Sequence, residues 1–200
     1  MEAQRFWKWF VDNEDSIWNL DANSALDTIQ RRLSEHCEDL EAEISDESDE
    51  EEPKRELIIS AGGDASLFPA VEDLVANAPK LARWSFIGLK PPRGFDFELD
   101  CSVGKIVPEE LFFEPMTSNA KPDSIGILVF VPQDLLNEDT EQCIRLVVET
   151  GIGERDSSVI EHIAVASMPE DPSPYLSLPQ LGDYVKWFRD QHSRSMGNRD

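Results

Sequence analysis

The chain has 200 residues, 40% hydrophobic and 30% charged, with 41 acidic against 18 basic side chains and a formal net charge of −23. That length suits one domain with appendages, and five Trp and ten Phe supply bulky apolar groups for a core. So negative a surface repels phosphate backbones and anionic lipid, which argues against nucleic-acid and membrane partners and leaves solubility or a basic protein partner as its use.

The opening residues lack a basic stretch followed by an unbroken apolar one, so no secretion signal is expected, and no run reaches the ~18 apolar residues of a membrane span. Phe6, Trp7, Trp9, Phe10 and Val11 crowd the start. Phe6 with Phe10, and Trp7 with Val11, are four apart and predict one helical face, which docks on the body or serves as a partner-binding surface. Asp21 or Asn23 caps a second helix whose stripe is Leu26, Ile29, Leu33 and Cys37. Leu40, Ala42 and Ile44 then alternate with Glu41 and Glu43, the period of a half-buried strand. The acidic run 46–52 cannot pack, and 55–60 reads as another strand, so the two strands predict a hairpin with an acidic loop at its tip, in preference to a linker between an N-terminal helical module and an α/β domain. Gly62 and Gly63 make a turn, 69–77 a helix stopped by Pro79, and 84–89 a strand.

Further on, 95–99 alternates apolar and acidic residues, 111–114 and 125–131 read as strands, and 138–149 as a helix. Residues 160–166 form the last strand, and 181–188 a short terminal helix after a Pro-rich connection. The expected architecture is α+β: a ferredoxin-like two-layer sandwich with a mainly antiparallel sheet. It would be a single domain over 1–190, with helical decoration at 1–37, an acidic hairpin loop at 46–52 and a flexible tail at 191–200.

Chemistry is sparsely marked. His36, His162 and His192 are isolated, and no nucleophile elbow, zincin, Walker or dinucleotide motif occurs. The turn at Ser60 to Asp64 invites a phosphate-loop reading, but no Lys follows and Asp64 would repel the anion. The run 46–52 has no glycine and so does not match a calcium loop. Cys37, Cys101 and Cys143 form no C-x-x-C pair, which predicts free thiols, no zinc and no disulfide. Neither a cofactor nor a catalytic residue is assigned. Lys80, Arg83, Lys90 and Arg93 are the densest basic cluster, and Lys90 with Arg93 is a candidate anion-binding corner. Asp96, Glu98 and Asp100 alternate and would share one strand face, which suits solvation, acid–base work or holding a metal.

The run from Arg55 to Gly63, with Phe68 to Glu72, Ala78, Pro79, Trp84 to Phe86 and the opening Phe6 to Phe10, resembles a family of uncharacterised bacterial cytoplasmic proteins. The resemblance covers the N-terminal half. It implies a bacterial cytoplasmic protein and a strand pair leading into the Gly62–Gly63 turn, and it carries no functional residue across. The function expected is non-enzymatic protein–protein interaction by a regulator, adaptor or toxin-neutralising protein, either with a basic partner or as a homodimer through Phe6, Trp7, Trp9 and Phe10. The alternative is an enzyme of unrecognised type built on Asp96, Glu98 and Asp100.

Overall fold

A computed structural model describes residues 2–47, 54–116 and 124–196, without the side chains of 2, 45–47 and 192–196. The fold is α+β, and the chain divides into two compact units, Met1–Lys90 and Pro91–Asp200, each with its own apolar core.

The first unit begins with helices α1 (Glu2–Trp18) and α2 (Ala22–Ser34). Asp21 caps α2, its carboxylate accepting from the Ser24 amide at 3.0 Å. The stripe Ala25, Ile29 and Leu33 is fully buried, while Cys37 lies past the helix end and is half-buried. Strands β1 (Glu41–Glu47) and β2 (Lys54–Ser60) form the expected antiparallel hairpin, with Ala42 opposite Ile59 and Ile44 opposite Leu57. Of the acidic run 46–52, the backbone of Asp46 and Glu47 extends β1, and 48–53 lie outside the described residues. Gln30 ties α2 to the start of β1: its side-chain amide donates to the Leu40 carbonyl at 2.9 Å and accepts from the Ala42 amide at 2.7 Å. Helix α3 (Phe68–Ala76) then crosses over to β3 (Trp84–Gly88), which lies parallel to β2.

The N-terminal helices are core rather than decoration. Phe6, Trp7, Phe10 and Ile17 are buried on α1, and the Trp7 ring N–H donates to the Leu74 carbonyl of α3 at 2.6 Å. Phe10 meets Trp84 and Phe86 edge-on, with centroids 5.2 and 5.3 Å away. A three-stranded sheet has two faces to cover, and this aromatic face supplies apolar area that the sheet needs.

In the second unit, β4 (Leu99–Cys101) and β5 (Gly104–Ile106) make a small hairpin. A four-stranded sheet follows, built from β6 (Phe112–Met116), β7 (Ile125–Val131), β8 (Ile160–Ser167) and β9 (Leu176–Ser177) in the order β8-β7-β6-β9. Helices α4 (Thr140–Ile152) and α5 (Glu154–Ser157) connect β7 to its parallel neighbour β8, and α6 (Leu181–Met196) closes the unit. Ile144, Val147 and Val148 of α4 pack in one core with Ile125, Ile127 and Val129 of β7.

Both units use one arrangement: an antiparallel hairpin, a helix, then a strand parallel to the second hairpin strand. Among the described residues the strands fall into three sheets, so the chain does not build one ferredoxin-like sheet. Residues 95–98 differ too, since they join no sheet. The Arg93 amide donates to the Thr150 carbonyl at 2.9 Å and the Gly94 amide to Gly151 at 3.0 Å, which satisfies carbonyls at the end of α4. Phe95 then lies on Gly151, where a Cβ would sit 2.3 Å from the ring. The segment is committed to a helix end and not to a strand partner. The tail also differs from expectation, because α6 runs on to Met196.

Candidate functional site

Of the aromatic quartet, Phe6, Trp7 and Phe10 are interior, and Trp9 is half-buried with the Arg32 guanidinium 5.8 Å from its ring centre. The first three therefore offer no free surface for a partner.

The basic cluster is spread among separate tasks. Arg83 makes two bonds to the Glu14 carboxylate, at 2.9 and 2.7 Å, and one to Asp15 at 2.5 Å. Those hydrogen bonds, Glu14 first, raise the Arg83 guanidinium above its ordinary range. Arg83 and Arg55 both lie over Trp18, at 5.1 and 5.0 Å from the ring centre, so these cations fasten the end of α1. Lys90 reaches Glu43 on β1 at 2.8 Å. Arg93 belongs to the other unit, where its amide serves the end of α4.

Asp96, Glu98 and Asp100 are exposed while Phe95, Phe97 and Leu99 face inward, so the alternation survives as a burial pattern. Lys105 bonds Glu98 at 2.5 Å and sits opposite Asp100 in the β4–β5 register. Hydrogen bonding to Glu98, then the charges of Glu98 and Asp100, raise the Lys105 ammonium above its ordinary value. Among the described residues no cluster of three His, Cys, Asp or Glu side chains suits a metal ion. The Ser60 to Asp64 segment closes on itself: Ser60 Oγ accepts from the Gly62 amide at 3.0 Å, and the Asp64 carboxylate accepts from the Ser66 amide at 2.9 Å. Gly62 and Gly63 take φ of 59° and 82°, the left-handed turn that glycine permits. His162 is exposed on β8, and the side chain of His192 lies outside the described residues.

Two cavities and one surface stand out among the described residues. In the first unit a cavity of about 260 Å³ is bordered by Arg5, Phe6, Arg32, Glu35 and His36. Arg32 and Glu35 pair with one another there, and His36 Nδ1 is buried with no protein hydrogen-bond partner. In the second unit a larger cavity of about 510 Å³ is bordered by Cys101, Ser102, Gln142, Cys143, Leu146 and other residues of α4. The surface lies on α6. Trp187 is 55% exposed, with its ring centre 5.7 Å from that of half-buried Tyr184. Burial raises the Tyr184 hydroxyl above its ordinary value. Asp183, four residues before Trp187, and Asp190, three after, are both exposed on the same side of the helix.

The aromatic run at the N-terminus hid this surface from sequence reasoning. Trp187 sits among Val185, Lys186 and Phe188, and period alone does not say which aromatic faces out. The structure defines an α+β protein in which no helix among the described residues is long and apolar enough to cross a membrane. No family model, curated protein or solved structure matches the chain.

Proposed function

We propose that this protein is a non-enzymatic, acidic interaction protein of the bacterial cytoplasm that receives a basic segment of a protein partner on the exposed face of α6. The observation that carries the reading is Trp187, more than half exposed beside Tyr184 and bracketed by the carboxylates of Asp183 and Asp190. An aromatic face flanked by carboxylates suits an Arg or Lys side chain, which gains from the ring quadrupole and from the charge. Lys186, exposed between Asp183 and Asp190 on α6, is the cation of this chain nearest to the site in sequence, and a basic partner must outcompete it. Lys8, Arg32, Arg83, Lys90, Lys105, Arg145 and Arg189 each already have a carboxylate partner. A surplus of −23 steers basic partners inward at low ionic strength and disfavours a second copy of the chain. The alternative enzyme reading gains nothing, because Asp96, Glu98 and Asp100 border neither cavity described here.

The test is binding of a fluorescent Arg-rich peptide, with a Gln-substituted peptide of equal length as control. Binding should weaken steeply with added salt, and Trp187→Ala should weaken it about tenfold, the scale of a desolvated cation–π contact. Equal binding of the control peptide, or an unchanged affinity for Trp187→Ala, refutes the assignment. So does sedimentation showing a homodimer that Trp187→Ala dissociates.

A further inference from the structure

We propose that Cys101 and Cys143 form a redox-active dithiol, which a peroxide oxidises to an intramolecular disulfide that staples the β4–β5 hairpin to α4. The two residues are far apart in sequence, and both border the 510 Å³ cavity. The hairpin turn brings them together. Gly104, at φ of 120°, lets the chain reverse, and Val103 and Ile106 are buried in the same core cluster as Cys143. Ser102 Oγ at the turn lies 3.9 Å from Cys143 Sγ, and Cys101 Sγ donates to the Gly104 carbonyl at 3.4 Å, which fixes the thiol at the hairpin mouth. Burial first, and then contact with the Cys143 thiol, raise the Cys101 thiol above its ordinary value.

Cys101 is the less buried of the two, and so the one a peroxide meets first. Its thiolate attacks one peroxide oxygen and the O–O bond breaks, leaving a sulfenic acid on Cys101 and hydroxide, which takes up the thiol proton as water. The Cys143 sulfur then attacks the sulfenic sulfur. The S–S bond forms, the S–O bond breaks, and a second water leaves with the Cys143 proton. Two thiols lose two electrons and two protons, and the peroxide gains them. Burial holds the Cys101 thiol above its ordinary value, so the rate should rise with pH. Cys37 lies in the Met1–Lys90 unit and serves as an internal control thiol.

The test treats the folded full-length protein with hydrogen peroxide, quenches with iodoacetamide, and reads intact mass and a peptide map. The expected result is loss of two hydrogens, a linked Cys101–Cys143 peptide, an alkylated Cys37, and full reversal by dithiothreitol. In Cys143→Ser, a dimedone adduct should instead accumulate on Cys101. The proposal is overturned if both thiols stay alkylatable, if linkage appears only after unfolding in urea, or if it forms only between chains. The wild-type result decides even if the variant fails to fold, which a circular-dichroism melt will reveal.

Discussion

Replacing Trp7 with Ala probes the claim that the N-terminal helix is core. Trp7 is 4% exposed, and its ring contacts Phe6, Phe10 and Phe86 at centroid distances of 4.8, 5.8 and 4.5 Å. Large aromatic truncations in cores cost about 3–5 kcal/mol. The lost ring N–H adds little, because the Leu74 carbonyl it reaches also accepts from the Asn77 amide at 3.2 Å. A loss of about 4 kcal/mol is expected, equivalent to roughly 16–32 °C in the thermal midpoint of the Met1–Lys90 unit that holds Trp7. Urea denaturation followed by far-ultraviolet circular dichroism measures it without depending on the remaining tryptophans. Trp7→Phe, which keeps most of the ring, should cost only about 1–2 kcal/mol. Sedimentation at several concentrations should show an unchanged mass for both variants. A Trp7→Ala protein within 1 kcal/mol of the parent would refute the packing argument, and one that lost an oligomer instead would make this segment an interface.

Gly151→Ala should destabilise by about 1–2 kcal/mol, because overlap with Phe95 outweighs the helix propensity of Ala. In a Phe95→Ala background the same change should turn stabilising, which a double-mutant cycle of urea midpoints would register. Asp21→Ala removes a cap whose carboxyl is held below its ordinary value by hydrogen bonds from the Ser24 side chain and amide. A carboxyl lowered on folding stabilises above its unfolded value, and that contribution is lost as pH falls through the folded one. The melting difference between Asp21→Ala and the parent should therefore be full at pH 7 and shrink below about pH 4. A difference independent of pH would mean that the cap acts through something other than its charge.

Much of the local structure was legible in the sequence. The spacing of Leu26, Ile29 and Leu33, the alternation of Leu40, Ala42 and Ile44, and the unbroken apolar run of β7 name helix, half-buried strand and buried strand in turn. They do so because a period reports how one segment divides its faces between water and core. The hairpin pairing β1 with β2 followed for the same reason, since both flanks of the acidic run announce themselves as strands.

A period does not report which neighbour covers the apolar face, and that is what tertiary structure decided. Residues 95–99 alternate as a strand would, yet carbonyls at the end of α4 take the amides of Arg93 and Gly94 and hold the segment there. The aromatics of α1 and α6 look alike in sequence, but Phe6, Trp7 and Phe10 find a sheet while Trp187 finds water. Cys101 and Cys143 have no recognisable spacing, because what joins them is the seating of a short hairpin on a helix rather than a local repeat. Composition and periodicity set the elements and the charge, whereas contacts distant in sequence chose the two cores, the exposed tryptophan and the paired thiols. Those contacts depend on the complementary shapes of separate segments, which no single segment encodes.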